Sequence, residues 1–369
     1  VDMGHLIIGG PVAGQSHICQ AGYSCSLDGI EGFGLQQGDY IVILFTCGTG
    51  DPIDREYKEG DPWRAWPPFI SAPIDILTCD GDGISGKCKG DYAADEGNFI
   101  FNADTGKYRM CWCDSKTGTC LTKDDFTVDI GLFTAVGPDA DQEYFCVPGY
   151  TCVLNKLKGV SLFPADEYVL QKDSECRGGN VVEGVPNNGI SEPAMDGGRQ
   201  VTWSGPFAAT TYPKQDYTLC WCPVQVLCTE PDEFVTRAAI ISVLGPLPNQ
   251  NYECLLGDPC IIADVNGVGL QNKDRIIAVS NACGPGAVVA PDFPSLGMSA
   301  EAEETGTKYT FNMLINAKTG RYRLCWCPFS RTIDPVWPVP FQCLNIDSTP
   351  ILGDFTVDLG ELLLPEVPQ

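Results

Sequence analysis

Six of the twenty cysteines in this chain stand in three copies of Cys-Trp-Cys, namely Cys111-Trp112-Cys113, Cys220-Trp221-Cys222 and Cys325-Trp326-Cys327. Thiols at this density do one of two things: they hold zinc or they pair as disulfides. Zinc sites draw on Cys-x-x-Cys knuckles and on histidine. This chain has no such knuckle, and its two histidines, His5 and His17, lie in different segments. Disulfides are therefore expected, and with them an oxidising compartment.

The cysteines sort into three sets in chain order. The first is Cys19, Cys25, Cys47, Cys111, Cys113 and Cys120. The second is Cys146, Cys152, Cys176, Cys220, Cys222 and Cys228, and the third is Cys254, Cys260, Cys283, Cys325, Cys327 and Cys343. Cys79 and Cys88 are an extra pair inside the first set, and their arrival as a pair argues for a bridge of their own. Many pairings are open to six cysteines. The one adopted here joins Cys19 to Cys25, Cys47 to Cys111 and Cys113 to Cys120, with the equivalents in the other two sets.

No catalytic or metal-ligating constellation is found. Asp104-Thr-Gly matches an aspartic-protease triplet, but the third repeat has Lys318-Thr-Gly there, which fits a turn before a strand. Such a protease would also need a second, paired aspartate. Asp80-Gly-Asp82 resembles a calcium loop without its closing glutamate, since Asp91 follows instead. No cofactor is expected beyond weakly bound calcium. Trp63-Arg-Ala-Trp66 matches a C-mannosylation pattern, and two rings packing an insertion onto its sheet explain it as well. There is no Asn-x-Ser/Thr sequon.

The elements that must position these groups read as strands. In Gly38 to Cys47, Ile41, Ile43 and Phe45 alternate at period two. Asp166 and Asp274 occupy the place of Asp39, and the segment resembles strand B of immunoglobulin-like domains. Tyr108, Met110 and Trp112 share one face of the next strand, opposite Cys111 and Cys113. Tyr217, Leu219 and Trp221 do the same, as do Tyr322, Leu324 and Trp326. This stretch resembles the tyrosine corner entering strand F of the immunoglobulin fold, so these aromatics are core candidates. Met110, Leu219 and Leu324 occupy the inter-sheet cysteine position of antibody-type domains, so the bridges must lie elsewhere. Phe126, Val128, Ile130 and Leu132 make a last strand G, echoed by Phe355, Val357 and Leu359. In that topology the cysteines would gather at one pole of each sandwich, beside the preceding repeat.

The fold class is thus all-β, with tandem immunoglobulin-like β-sandwich modules stapled by disulfides. The boundaries are 12–138 with an insertion at 51–100, then 139–246 and 247–369. Residues 1–11 align on Val128–Pro138 and look like the last strand of a preceding repeat, either of the same chain or pairing with a neighbouring one. Gln15, Gln142 and Gln250 each stand four residues before the first cysteine of a set. Spacing this regular predicts stiff junctions of similar angle, with Gln142 and Gln250 bonding across the joint.

A net charge of −25 disfavours nucleic acid and anionic membrane as partners. No apolar run approaches the roughly 18 residues of a membrane-spanning helix. The Tyr-x-Leu-Cys-Trp-Cys run, with an upstream Cys-Gly and a closing Gly-Pro strand, resembles repeats of large cysteine-repeat modular surface proteins of apicomplexan and related alveolate protists. The resemblance implies a secreted or surface-displayed protein with roles in adhesion or an extracellular scaffold. The expected function is a non-enzymatic extracellular array (filament, coat or stalk) whose partners are other modules of the same or identical chains. The rival is an adhesin or receptor ectodomain binding a surface protein or glycan through its insertions, where Trp63, Trp66 and Trp337 offer apolar surface.

Overall fold

The computed structural model describes residues 8–25, 27–48, 76–79, 87–92, 99–100, 105–116, 118–328 and 343–366. Residues 1–7, Asp80, Asp82, Asp104 and the partner-surface candidates Trp63, Trp66 and Trp337 lie outside them. The chain divides into two compact units, Val1–Ala140 with Gly159–Leu162, and Asp141–Lys158 with Phe163–Gln369.

The first unit contains β1 (Gly10–Pro11), β2 (Gln15–Gln20), β3 (Ser24–Cys25), β4 (Leu27–Phe33), β5 (Tyr40–Leu44), β6 (Ile76–Cys79), β7 (Lys87–Tyr92), β8 (Phe99–Ile100), β9 (Gly106–Cys113) and β10 (Val128–Pro138). Its main sheet centres on β10, which runs parallel to β2 and antiparallel to β9. On its other edge β9 pairs antiparallel with β5. The pair β3–β8 stands apart, and β1, β4, β7 and β6 form another sheet.

The next strands are β11 (Glu143–Cys146), β12 (Val153–Leu154), β13 (Gly159–Val160, which belongs with the first unit), β14 (Glu167–Gln171), β15 (Val201–Thr202), β16 (Lys214–Cys222), β17 (Thr236–Val243) and β18 (Gly245–Pro246). They are followed by β19 (Tyr252–Glu253), β20 (Pro259–Ile262), β21 (Gly267–Val268), β22 (Arg275–Val279), β23 (Tyr309–Leu314), β24 (Gly320–Cys327) and β25 (Val357–Leu364). The second unit repeats the first sheet twice, in the orders β11-β17-β16-β14 and β19-β25-β24-β22, each with its own two-stranded partner, β12–β15 and β20–β23.

A sheet in the order A, G, F, C, with A parallel to G, opposite a strand pair is the immunoglobulin-like arrangement. All twenty cysteines are paired, so ten disulfides staple it.

Three expectations are corrected here. The strand containing Ile41 and Ile43 is not strand B: its backbone ladder is to β9, with Tyr40 opposite Cys113 and Leu44 opposite Arg109, which is the place of strand C. The cysteines do not gather at one pole. Cys19 lies beside Ala135, which faces Gly106 at the start of β9, whereas Cys113 ends that strand. Strand G does not alternate throughout, because a β-bulge between Asp129 and Gly131 reverses its faces. Beyond the bulge Phe133 is buried and Leu132 is not.

In the second unit the four-stranded sheets are covered on both faces. Tyr322, Leu324 and Trp326 pack with Ile276, Phe311 and Leu359 on one side. Cys325, Cys327 and Cys343 pack with Val279 and Phe355 on the other. The second repeat has the same back cluster, made of Cys220, Cys222, Cys228, Val169 and Phe234. Alternation along one strand thus separates an aromatic core from a disulfide core.

Candidate functional site at the repeat joints

The recurring residues of the sequence converge where one repeat meets the next. Gly10–Pro11 pairs antiparallel with Gly32–Phe33, Gly137–Pro138 with Gly159–Val160, and Gly245–Pro246 with Gly267–Val268, in one register. The joint glycine has φ of +134°, +150° and +145° in turn, a region open to glycine but strained for any other residue. On the receiving side a Cβ at Gly32, Gly159 or Gly267 would lie 2.6, 2.5 and 2.6 Å from the carbonyl oxygen of Gly10, Gly137 or Gly245. Close approach of two backbones demands glycine there, whatever its dihedral angles.

The tryptophan of Cys-Trp-Cys reaches the same place. A Cβ on Gly10 would lie 3.6 Å from Cζ3 of Trp112, and one on Gly245 would lie 3.6 Å from Cζ3 of Trp326. Trp221 and Trp326 are fully buried and Trp112 nearly so. The phenols of Tyr217 and Tyr322 donate to the carbonyls of Tyr212 and Lys318, both at 2.8 Å, closing the corner at the start of their strands. Tyr108 is buried at the equivalent place.

The glutamines hold the residue just before the receiving glycine, inside their own repeat. Gln142 Nε2 donates to the Lys158 carbonyl at 2.9 Å, and its Oε1 accepts from the Lys158 amide at 2.6 Å. Gln15 treats both backbone groups of Glu31 in this way, at 2.9 and 2.8 Å, and Gln250 those of Asn266, also at 2.9 and 2.8 Å. The expected bond across the joint is therefore corrected. The side chain clamps a residue sixteen positions on, and that residue's neighbours pair with the preceding strand end. Tyr144 and Tyr252 donate to Oε1 of Gln142 and Gln250, and burial pushes both phenols up to about 12. His17 stands in the same place in the first repeat, its pKa lowered chiefly by burial.

A second recurring polar group is buried beside each Cys-Trp-Cys. Asp39 accepts from the amide of Gln36 at 2.9 Å and from the amide and hydroxyl of Ser115, both at 3.1 Å. Asp166 accepts from the amides of Phe163 and Val224 at 3.0 and 2.9 Å, and Asp274 from that of Gln271 at 2.8 Å. Burial raises the carboxyls of Asp39 and Asp166 above the ordinary aspartate range, against the opposing pull of these hydrogen bonds. The carboxylates of Asp39 and Asp166 tie the turn before strand C to the chain leaving strand F.

The structure joins Cys19 to Cys25, Cys47 to Cys111, Cys113 to Cys120 and Cys79 to Cys88. In the second repeat Cys146 is bonded to Cys152, Cys176 to Cys220 and Cys222 to Cys228. In the third Cys254 is bonded to Cys260, Cys283 to Cys325 and Cys327 to Cys343. Among the described residues no group of three or more His, Cys, Asp or Glu is placed to hold a metal ion. Nor is any helix there long and apolar enough to cross a membrane. The receiving pairs Gly32–Phe33, Gly159–Val160 and Gly267–Val268 escaped the sequence reading. Their signal was a glycine at constant distance after each junction glutamine.

No family model matches the chain, and no curated protein matches it. Among solved structures it is similar to the insect immune protein hemolin, at 10% identity over 86% of this chain and 72% of that one, with a TM-score of 0.17. It is similar to SGBP-B of a Bacteroides ovatus mixed-linkage glucan utilization locus, in complex with a heptasaccharide, at 11% identity over 96% and 67%, with a TM-score of 0.19. Immunoglobulin domains 1–4 of Sidekick-1 match at 11% identity over 88% and 69%, with a TM-score of 0.15. Superpositions at these scores carry no functional argument. The fold assignment rests on strand order and pairing.

Proposed function

We propose that this chain is part of an extracellular, non-enzymatic array of disulfide-bonded immunoglobulin-like modules, bounded at 12–138, 139–246 and 247–369, in a filament, coat or stalk. One observation carries the reading. The residues that recur from repeat to repeat — tryptophan, joint glycines, glutamine, buried aspartate — are spent on cores, bridges and joints. A repeat whose invariant chemistry makes its connection to the previous repeat is built to be concatenated. The resemblance to cysteine-repeat surface proteins of alveolate protists supports the same reading, and the ten disulfides suit an oxidising exterior. Calcium enters only as a loosely held counterion to the −25 charge.

The test is to insert two Gly-Ser pairs after Pro246. The repeats on either side should stay folded while small-angle scattering shows a broadened distribution of end-to-end distances. An unchanged profile would mean that the joint holds nothing in place, and the array reading would fail. The second reading, an adhesin or receptor ectodomain, draws on the apolar insertions. It predicts binding to a surface protein or glycan that is lost when Trp63, Trp66 and Trp337 are replaced by alanine.

A further inference from the structure

Beside each Cys-Trp-Cys indole of the second unit stands a buried phenol, and the two phenols come from different sheets. In the second repeat it is Tyr168 of β14, paired directly with Trp221 across the ladder. In the third repeat the equivalent place, opposite Trp326, is taken by Ile276. The phenol there is Tyr309 of β23, on the separate two-stranded sheet, in one core cluster with Trp326. Tyr309 is paired with Ile262, two residues after Cys260. The matching pair in the second repeat is Leu154, two residues after Cys152, with Val201. The repeats have therefore exchanged a large and a small residue: Tyr168 and Val201 in one, Ile276 and Tyr309 in the other. All four are fully buried.

Different backbones deliver the hydroxyl to equivalent neighbours. Burial, then Asp166 and Tyr144, raises the Tyr168 phenol well above its ordinary value. Burial, then Asp274 and Tyr252, does the same to Tyr309. These aspartates are the recurring buried pair, and these tyrosines are the ones that donate to Gln142 and Gln250. The Tyr168 hydroxyl also donates to the Gly198 carbonyl at 3.4 Å. Tyr309 brings its hydroxyl to the indole of Trp326, and the structure gives neither buried atom another hydrogen-bond partner. Polar atoms buried without partners are costly, so the members of such a group must supply one another. By backbone register the first repeat follows the third: Ile41 is opposite Trp112, and Tyr92 is paired with Leu27, two residues after Cys25.

We infer that Tyr168 and Tyr309 are positioning residues for the indoles of Trp221 and Trp326, and that either sheet can supply the one phenol a repeat needs. What matters is where the hydroxyl ends, not where its backbone starts. A second tyrosine would overfill a close-packed core, and none would leave the buried polar group a member short. The indole of Trp326 is the one whose Cζ3 would lie 3.6 Å from a Cβ on Gly245. The phenol therefore sets the packing at that joint from inside the core. The inference concerns how a module holds its own tryptophan, and it stands whether or not the modules form an array.

Native-state hydrogen exchange of the full chain tests it, read at β24 with β9 of the other unit as internal reference. Tyr309→Val should speed exchange of the β24 amides by about tenfold or more, the effect of a buried group left unpaired. Adding Ile276→Tyr, which reproduces the second repeat's arrangement, should restore slow exchange. Adding Ile276→Phe instead refills the volume without the hydroxyl and should restore only part. Tyr309→Phe, which keeps the ring, should also exchange faster than the native chain. The reciprocal set, Tyr168→Ile alone, with Val201→Tyr and with Val201→Phe, is read at β16 and keeps the test open if a third-repeat variant does not fold. Rescue by phenylalanine as complete as by tyrosine would show that only ring volume counts. No rescue by tyrosine would show that the other sheet cannot supply the phenol. Native exchange in Tyr309→Phe would show that the hydroxyl positions nothing. Any of the three overturns the proposal, and none depends on the scattering result at Pro246.

Discussion

Gln142 satisfies both backbone groups of Lys158 with one side chain, in a place where water does not replace it. Gln142→Ala should lower stability by roughly 1–3 kcal/mol, because an unpaired buried group bears its full desolvation cost. The same change at the more exposed Gln15 should cost less, and urea denaturation of the two variants checks the order. Trp326→Ala should cost about 3–5 kcal/mol, as truncation of a fully buried ring does. Asp166 makes a different prediction, through pH. Its carboxyl titrates higher in the folded chain than the ordinary aspartate value of 3.8. The folded state therefore binds the proton more tightly, and the contribution of Asp166 to stability falls as pH rises from that value through the raised one. Asp166→Asn should remove this component and make the pH profile of unfolding more positive in slope across that window. Identical slopes for the two chains would show that the carboxyl is not shifted.

At the scale of elements, the bridges divide by the length of chain they close. Cys176–Cys220 spans 44 residues and Cys146–Cys152 only six. Long loops lose more unfolded-state entropy on closure, so replacing the first pair with serine should cost about 2–4 kcal/mol and the second less. Thermal unfolding of the two double variants decides. Strand F was legible in the sequence because Tyr-x-Leu-Cys-Trp-Cys combines a corner residue with strict alternation, and its structure follows that parity. The strand before it was assigned the wrong neighbour, since alternation at Ile41 and Ile43 reports a buried face but not which edge bonds to what. The bulge at Ile130 was hidden for a related reason. One extra residue reverses the faces beyond it without changing composition, and Leu132 reads as core until the register is known. The joints were half legible. Fixed spacing marked Gln15, Gln142 and Gln250, but their partners are backbone groups and leave no side-chain signature.

For the whole molecule the disulfides make a global statement. Thiol titration in denaturant without reductant should find no free cysteine, since all twenty are bonded. Measurable thiol would mean that at least one bridge does not form. The joint pairing also bears on how such a chain comes to be made. Gly137 pairs with Val160, a short way along the chain, whereas Glu143 must wait for Ile240 before its own sheet can close. Closing a short loop costs less entropy than closing a long one. During synthesis from the N-terminus, the strand end of a finished repeat is already waiting when the next receiving strand emerges. Each repeat can therefore be latched to its predecessor before it has folded itself, so that growth of the chain becomes templated and directional.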